Sequence, residues 1–193
     1  KRLRAFFVAI RNDYEETFDF GKLKKKPKVT VKEAIGELYD LDNNPKDKLE
    51  TKPKNKYLKY LRKESQQIYN HEVKYPAKLT QERISHVPQG GNWADIPTEL
   101  FPNNRNNRHS SAFKRLDEHA CSVTIDTGNA HSNYFHPIYN RIPTVREASR
   151  IQSFKDDFII VGSRTSQYRQ IGNAVPPLLA KTVGDELFKY LKN

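Results

Sequence analysis

The apolar positions at the two ends of the chain follow the periods of regular secondary structure. At the start, residues 3–10 form a short, mainly apolar run with several aromatic and branched side chains. Such a run predicts a buried strand in the middle of a sheet. Near the other end, Pro176 and Pro177 suit the first turn of a helix. The apolar stripe of this helix would consist of Leu179, Val183, Leu187 and Leu191.

Two capping boxes predict where helices begin. The segments Thr30–Glu33 and Thr144–Glu147 each place a threonine three residues before a glutamate. In this arrangement the hydroxyl and the carboxylate each accept a backbone N–H that the first helical turn leaves free. The first box predicts a helix over about 31–39. The second predicts a helix that presents Ala148 and Ile151 on one face.

Two further helices are predicted from the spacing of apolar residues. Tyr57, Leu61 and Ile68 recur at helical intervals, which indicates an amphipathic helix. The segment 165–171 is a shorter candidate, and Gly172 would end it in the left-handed conformation.

The middle of the chain is less regular. Residues 40–53 are polar and interrupted by prolines, and residues 88–107 are rich in Gly, Pro and Asn around Gly90–Trp93. Both segments are therefore predicted to be loops. Residues 122–127 alternate between apolar and polar types, which predicts a half-buried strand.

Composition adds a candidate partner. The 193 residues include 34 Lys plus Arg and 23 Asp plus Glu, a formal net charge of +11, with many of the lysines in 22–63. This excess favours a polyanion, with nucleic acid as the first candidate, although a lysine-rich loop is equally compatible with a solvated surface. The single Cys excludes a disulfide framework and a Cys-based zinc site. Because the sequence starts at Lys1 and contains no Met, we expect a piece of a longer protein.

Two long motifs occupy the last third of the chain. The first comprises His136-Pro137, Arg141 and the segment 144–154, and the second is the segment 169–177. In this order and near this spacing, they strongly resemble the last two blocks of the DNA (cytosine-5)-methyltransferase family.

The resemblance extends more thinly over the rest of the chain. Arg2-Leu3-Arg4 is similar to the family's Gln-x-Arg-x-Arg block without its Gln, and Thr30–Leu38 and Gly90–Trp93 look like elements of its target-recognition region. The family implies an α/β fold, with a partial Rossmann-like methyltransferase domain and a small mixed target-recognition domain. The implied divisions are 1–20 for one strand of the catalytic α/β domain, 21–140 for the recognition domain with its basic loop, and 141–193 for the return to the catalytic domain.

Parts of the family pattern are missing. The family's nucleophile is a Cys preceded by Pro, whereas Cys121, the single thiol, follows Ala120. No two glycines have the spacing of the family's cofactor loop, and there is no Glu-Asn-Val sequence. We therefore expect no methyl transfer by this chain alone. The resemblance implies that the missing N-terminal catalytic part is a separate subunit or was removed from the same chain.

For the complete enzyme, the resemblance implies methyl transfer from S-adenosylmethionine to a cytosine flipped out of a specific double-stranded DNA site. A role in restriction-modification and a location at the DNA, in a prokaryotic cytoplasm, follow from the same resemblance. Arg2 and Arg4 would hold the flipped base and its acidic partner, whereas two such arginines considered alone would face solvent or bind phosphate. The cofactor pocket would be lined by Gly172, Asn173, Ala174 and Val175, for which a plain helix cap is the alternative.

DNA contacts would come from the middle of the chain. The implied residues are Gln89, Gly90, Gly91, Asn92, Trp93, Thr124 and Ile125. The amides of Gln89 and Asn92 are able to form paired hydrogen bonds with base edges, and adjacent glycines let backbone approach a groove. A single Trp is more commonly a core residue, and Thr124 and Ile125 by themselves would be ordinary strand residues.

Phosphate contacts would come from the lysines of 22–63 and the arginines of 105–108, which position a protein on DNA without specifying a sequence. His136 is interpreted as structural or close to DNA. Glu147 and Arg150 would connect the recognition and catalytic domains, and a capping role explains Glu147 equally well. The alternative from another class is a non-catalytic basic module that binds nucleic acid.

Overall fold

A computed structural model describes residues 5–14, 17–42, 48–62, 67–101, 113–127 and 134–190. The helices of these residues are α1 (Val31–Ile35), α2 (Lys56–Arg62), α3 (Lys78–Ser85), α4 (Val145–Ile151), α5 (Arg164–Asn173) and α6 (Pro177–Tyr190). Two short strands, β1 (Lys114–Arg115) and β2 (Tyr134–Phe135), pair in parallel, with Lys114 opposite Tyr134. Single turns or short runs of 3₁₀-helix cover Phe20–Lys22, Gly36–Asp42, Trp93–Asp95 and Thr98–Leu100.

Helix α4 lies at the centre of the described structure. Its residues from Val145 to Arg150 are all buried, and it packs against both α1 and α5. The main hydrophobic core is formed by Val31, Ala34, Ile35, Leu116, Ile125, Tyr134, Val145, Ala148, Ile160, Tyr168 and Ile171. Since α1 shares this core with the helices that follow residue 141, the packing is not divided at the predicted boundary between residues 140 and 141.

A separate small core supports the segment between α3 and β1. Val87, Ile96 and Phe101 are buried together, and Trp93 packs against them while partly exposed. This segment turns through two short 3₁₀ runs, in agreement with the irregular backbone predicted for residues 88–107, of which 102–107 lie outside the described residues.

Both capping boxes are present as predicted. The Thr30 hydroxyl accepts from the N–H of Glu33, whose carboxylate accepts from the N–H of Thr30, and the same reciprocal pair joins Thr144 and Glu147. The first helix begins at Val31 and continues beyond Ile35 as 3₁₀-helix to Asp42. Local hydrogen bonds therefore determine where both helices begin.

The two predicted strands are corrected by the structure. Residues 5–10 form no strand, and Phe7 is 95% exposed, so the described part of segment 1–20 is not a buried strand of an α/β sheet. Residues 122–127 form no strand either, although Ile125 is buried in the main core. A strand requires hydrogen bonds from a neighbouring strand, and within the described residues the two-stranded sheet does not extend to either segment.

Three predictions about helices also change. Helix α2 is described over Lys56–Arg62, Ile68 is not helical, and α3 was not predicted. Helix α5 passes through Gly172 in helical conformation and ends after Asn173, so Gly172 is not a left-handed stop. Helix α6 begins at Pro177 as predicted, but its stripe is only partly covered, with Leu179 42% exposed. None of the described helices has the length and apolar character needed to cross a membrane.

Candidate functional site

A cavity of 370 Å³ lies beside the junction of α5 and α6. Its walls come from the start of α1, from residues 121–125, from the end of α4 and from residues 172–176. The cavity therefore brings Thr124 and Ile125 together with Gly172–Val175, two sets that the sequence assigns separately to DNA and to a cofactor. The volume falls in the range of about 300–1,000 Å³ that is typical of small-molecule sites.

Gly172 is the point where the two sets are in direct contact. A Cβ atom at this position would lie 2.5 Å from the carbonyl oxygen of Asp126 and 2.5 Å from the backbone nitrogen of Thr127. Both are backbone atoms, which cannot rotate away as a flexible side chain would. Only glycine lets the end of α5 approach segment 122–127 this closely. The position of Asn173–Val175 is therefore set directly by the backbone that carries Thr124 and Ile125.

Two buried residues of the first long motif form hydrogen bonds on each side of the junction of α5 and α6. The side-chain amide of Gln152 donates to the carbonyl oxygen of Ile171 at 2.5 Å. The hydroxyl of Ser153 accepts from the backbone N–H of Leu178 at 3.1 Å. These bonds secure the chain on each side of Asn173–Val175, so the loop between the helices is fixed at both ends.

The chemistry of the cavity walls is neutral. Among the residues that the structure describes, none that lines the cavity carries a formal charge, and the walls combine apolar side chains such as Val31 and Ile125 with hydroxyl and amide groups. The Asn173 side chain is exposed at the wall and forms no hydrogen bond with the described part of the chain. Such walls suit a flat, mainly uncharged group with a few polar atoms, such as a nucleobase or nucleoside, better than a phosphate, which would require cationic partners.

The fully buried charged side chains lie outside the cavity walls and are concentrated around α4. Arg141 donates to both oxygens of Glu147, at 2.8 Å and 2.9 Å, and to both oxygens of Asp42. Burial alone would raise the pKa of Glu147, but the Arg141 guanidinium outweighs burial and holds that pKa well below its usual range. Glu147 also accepts from the Thr144 N–H at 2.7 Å. It is therefore both the cap of α4 and the anion of a buried ion pair.

His136 completes this group as a structural residue. Its Nδ1 accepts backbone N–H bonds from Ile138 at 3.1 Å and from Tyr139 at 3.0 Å. Since Nδ1 is an acceptor, the ring proton is carried on Nε2, which lies 3.5 Å from Oε1 of Glu147. The structural interpretation of His136 fits these contacts.

Arg150 and Arg146 connect α4 to segments on either side. Arg150 donates to both oxygens of Asp156, at 2.9 Å and 2.6 Å, and lies 2.8 Å from Glu37 in the 3₁₀ segment after α1. Arg146 donates to the carbonyl oxygens of Tyr69, Lys155 and Phe158, each at 2.8 Å. Burial lowers the pKa of Arg146 to about 10. These arginines act as buried cross-links between distant parts of the chain.

One group near α4 has the residue types of a metal site. Ligand atoms of Asp42, His71 and Glu147 lie within 4.8 Å of one another. However, the Arg141 guanidinium already lies between the two carboxylates and forms an ion pair with each of them. The group is explained by the ion-pair network without a metal.

Of the predicted DNA contacts, Thr124 and Ile125 line the cavity, whereas residues 89–93 lie outside its walls. The Gln89 side chain accepts from the Glu118 N–H at 2.9 Å and donates to the Glu118 carboxylate at 3.3 Å. The Asn92 side chain caps the following 3₁₀ turn by accepting from the Ala94 N–H at 2.9 Å. Trp93 packs on the small core, in line with the core interpretation. Both amides therefore have structural partners in this conformation.

The two glycines between these amides have different reasons to be glycine. Gly90 has a φ of +78°, a conformation that other residues rarely adopt. At Gly91 a Cβ atom would lie 2.5 Å from the Asp95 carboxylate and 2.7 Å from the Pro88 ring. The turn Pro88–Asn92, which we call the recognition loop after the DNA contacts that the family resemblance predicts for it, is therefore tightly specified by its sequence.

Several predicted or contributing residues fall elsewhere. Arg2 and Arg4, and the arginines of 105–108, lie outside the described residues. Cys121 is exposed and lies at the cavity wall. Sequence reasoning missed the supporting roles of Gln152 and Ser153, although both belong to the motif that carried the resemblance. It also missed the buried Arg115, which donates hydrogen bonds to the carbonyl oxygens of Ile84, Val87 and other residues. An isolated arginine in an irregular segment gives no local signal of such a role.

Comparisons with known proteins relate the chain as a whole to one family. The family model described as C-5 cytosine-specific DNA methylase matches residues 1–189. Type II methyltransferase M.DdeI from Desulfomicrobium norvegicum is 29% identical over 215 residues, which cover 100% of this chain and 51% of that protein. Type II methyltransferase M1.HphI from Haemophilus parahaemolyticus is 35% identical over 130 residues, covering 67% of this chain and 34% of that protein. The chain thus spans about half of M.DdeI and a third of M1.HphI.

One relative is matched over most of its own length. Type II methyltransferase M.AquIB from Picosynechococcus is 34% identical over 135 residues, which cover 64% of this chain and 90% of that protein. Among solved structures, a protein described as a DNA modification methyltransferase encoded within an Escherichia coli prophage has a TM-score of 0.58. The match has 22% sequence identity and covers 76% of this chain and 40% of that one. At this identity the likeness shows a shared fold.

Proposed function

The chain belongs to the C-5 cytosine-specific DNA methylase family, and we propose that it supplies DNA recognition and part of the cofactor pocket of a DNA cytosine-5 methyltransferase. The complete enzyme transfers a methyl group from S-adenosylmethionine to a cytosine flipped out of a specific double-stranded DNA site. In this proposal, residues 21–140 contribute mainly to recognition, residues 141–193 belong to the catalytic domain, and Arg2 and Arg4 hold the flipped base.

The observation that carries this proposal is the shared cavity. Thr124 and Ile125 lie in its walls together with Gly172–Val175. A methyltransferase must bring a nucleotide and a cofactor to one place, because methyl transfer requires the two reacting atoms in near contact. A module that only binds nucleic acid has no such requirement, so the cavity favours the enzyme over the basic binding module.

The cavity residues fit one side of the proposed cofactor. The uncharged walls suit the adenosine part, and the exposed amide of Asn173 offers both a donor and an acceptor to its polar atoms. Bound there, S-adenosylmethionine would supply the methyl group for position 5 of the cytosine. The described residues of the cavity walls include no charged partner for the amino-acid part of the cofactor, and this partner is proposed to come from the N-terminal catalytic part.

Thr124 and Ile125 have a positioning role in this proposal. Ile125 is buried in the main core, whereas Thr124 is exposed at the cavity wall. The buried residue anchors the backbone while its neighbour is presented to the bound nucleotide. Flipping a base costs a few kcal/mol, and contacts of this kind offset part of that cost.

The DNA surface is proposed to include the recognition loop and the basic segment before α1. Lys22, Lys24, Lys25, Lys26 and Lys28 are all exposed. Cations of this kind contact phosphates and contribute to affinity without reading sequence. Gln89 is exposed as well, so exchanging its bonds to Glu118 for bonds to a base edge would require only a side-chain rotation.

The N-terminal catalytic part is proposed as the partner of this chain, as a separate subunit or as part of one longer polypeptide. M.AquIB supports this proposal, because 90% of its length is matched by a part of this chain. The exposed apolar side chains of Val175, Leu179 and Phe188, each more than 40% exposed, are proposed to pack against the partner. The chain alone is proposed to transfer no methyl group.

Complementation tests the proposal directly. The chain is mixed with a polypeptide that carries the nucleophile and the glycine loop of the family, and transfer of labelled methyl groups from S-adenosylmethionine to double-stranded DNA is measured. We expect transfer by the mixture and none by either component. Sequencing after chemical conversion of unmodified cytosines identifies the modified site.

Two outcomes would contradict the proposal. Transfer by the chain alone would mean that it needs no partner. Specific DNA binding by the chain, with no transfer in any mixture, would favour the non-catalytic binding module. A salt titration tests the proposed phosphate contacts. Replacing Lys24, Lys25 and Lys26 with Gln is expected to reduce the slope of log DNA affinity against log salt concentration by up to about three units.

A further inference from the structure

Arg115 in β1 is buried beneath the recognition loop and bonded in an unusual way. It is 8% exposed, and its side chain donates to five acceptors. The acceptors are the carbonyl oxygens of Pro137 at 3.0 Å, Ile84 at 3.1 Å, Val87 at 3.1 Å and Ile138 at 2.7 Å, and the side-chain oxygen of Asn140 at 3.2 Å. A guanidinium has five N–H donors, so every donor has an acceptor.

These acceptors are all neutral, which distinguishes Arg115 from the arginines around α4. Its charge is stabilised by carbonyl dipoles, including those of Ile84 and Val87 at the end of α3. The C-terminal end of a helix carries partial negative charge and favours a cation there. An arginine in this position holds the surrounding backbone segments in fixed relative positions, because its planar guanidinium directs its hydrogen bonds rigidly.

The backbone of the same strand holds the recognition loop itself. The N–H of Gly90 donates to the carbonyl oxygen of Arg115 at 3.1 Å, and the N–H of Arg115 donates to the carbonyl oxygen of Gly91 at 3.1 Å. The Lys114 ammonium also donates to the Gly90 carbonyl oxygen. One residue therefore contacts the chain before the loop through Ile84 and Val87, the loop through its two glycines, and the segment 137–140.

We propose that Arg115 is the positioning residue for DNA-sequence recognition, which it serves by holding the recognition loop in register with segment 137–140. This inference rests on the proposed function, because it assumes that the recognition loop reads DNA. Arg115 itself is buried and touches no base. Its effect passes through Gly90 and Gly91, whose backbone determines where the flanking side chains Gln89 and Asn92 point.

The test uses the complemented enzyme and compares two rates of methyl transfer, one on the cognate site and one on sites that differ by one base pair. Replacement Arg115→Lys keeps the charge but leaves three donors in place of five. We expect the ratio of the two rates to fall about tenfold, within the range set by the cost of one mismatched base pair. The affinity for S-adenosylmethionine is expected to stay within about twofold, because the cavity lies elsewhere.

Asn140→Ala gives a milder second variant, which removes one acceptor of Arg115 and leaves the other four. It should shift the ratio in the same direction by about two- to threefold. Arg83→Lys is the matched control. Arg83 also donates to a carbonyl oxygen in this region, that of Leu100 at 2.9 Å and 2.5 Å, but within the described part of the chain it forms no hydrogen bond with the recognition loop. This control should leave the ratio unchanged.

Hydrogen exchange gives a readout that does not depend on activity. In the Arg115→Lys variant, the amide of Gly90 should exchange faster, while the amide of Ala148 in α4 should exchange at the wild-type rate. A fall in cofactor affinity as large as the fall in DNA discrimination would mean general destabilisation and would overturn the inference. Unchanged discrimination in both Arg115→Lys and Asn140→Ala would overturn it as well. A wild-type enzyme that methylates no DNA would instead contradict the proposed function.

Discussion

The ion-pair network around α4 and the cavity at the junction of α5 and α6 lie close together but differ in their chemistry. The network buries Arg141, Glu147, Arg150 and Asp156 completely, and their charges are paired with one another. The cavity is lined, as far as residues are described, by uncharged side chains, and polar groups such as the Asn173 amide are available to a ligand. In the part of the chain that the structure describes, the buried ion pairs around α4 are structural, and the neutral groups of the cavity are proposed to bind.

The difference has a physical cause. A buried charge is tolerated only when its partners are fixed around it, so a network of such charges becomes rigid and is saturated with bonds. A binding wall requires the opposite, because its polar groups must exchange water for ligand. A shifted pKa does not by itself mark an active site, because structural ion pairs such as those around α4 shift pKa values as active sites do.

Removing the central anion should have the largest effect. Replacement Glu147→Gln leaves Arg141 buried with half of its ion pairs and weakens the cap of α4. Breaking a buried pair on one side typically costs about 3–5 kcal/mol of unfolding free energy. Urea unfolding followed by fluorescence measures this loss. The control Asp185→Asn removes an exposed pair with Lys181, for which about 0–1 kcal/mol is expected. Equal losses in the two variants would contradict the assignment of the network as structural.

The contact between the two halves of the cavity should be sensitive to a single methyl group. Gly172→Ala forces a Cβ atom against the backbone of Asp126 and Thr127, an overpacking that costs about 1–3 kcal/mol. We expect lower stability and weaker binding of S-adenosylmethionine to the complemented enzyme. Gly184→Ala is a matched control, since a Cβ atom there meets nothing within 4 Å and helix propensity favours alanine. Similar behaviour of the two variants would mean that the close approach at Gly172 has no role.

Asn173→Ala should separate binding from stability. The side chain is exposed and forms no bond within the described part of the chain, so the free energy of unfolding should change by less than about 0.5 kcal/mol. Loss of one hydrogen bond to the cofactor would weaken its binding by about 0.5–1.5 kcal/mol. Equilibrium dialysis with labelled S-adenosylmethionine measures the change. Unchanged affinity would remove Asn173 from the proposed pocket.

The stability of the protein should depend on pH through His71, which lies beside the ion-pair network. Burial lowers the pKa of His71, whose Nδ1 lies 2.9 Å from the hydroxyl of Thr144. The unfolded chain therefore binds the proton more readily than the folded chain, and stability should fall as pH drops through about 6.5, the ordinary pKa of histidine. Unfolding by urea at several pH values should show a smaller decline in His71→Asn. The same decline in both proteins would contradict this origin.

Sequence reasoning worked well where hydrogen bonds are local. Both capping boxes correctly marked the starts of α1 and α4, since each involves residues only three positions apart. It failed for the described residues 5–10 and for residues 122–127, because a strand depends on partners that the segment does not contain. Apolar pattern alone indicated burial at Ile125 correctly, but it could not supply a neighbouring strand.

For the candidate site, the motif directed attention to Gly172–Val175 and to Thr124–Ile125, and the structure joins both sets in one cavity. The reason proposed for Gly172 was wrong, since its missing side chain allows a close approach rather than a left-handed turn. Arg115 could not be found from sequence, because its acceptors are spread from Ile84 to Asn140. A guanidinium that bonds to backbone carbonyls leaves no pattern of residue types.

The sequence by itself determined the family, the excess of positive charge and the starts of the main helices, because these depend on residue identity and on short-range bonding. Only the tertiary structure decided which charges are structural and which neutral residues share a cavity. Burial and pairing are properties of the assembled chain, and the role of an arginine depends on what surrounds it. Arg141, Arg150 and Arg115 are identical in sequence terms, but the first two pair with carboxylates and the third bonds to neutral acceptors beneath the recognition loop.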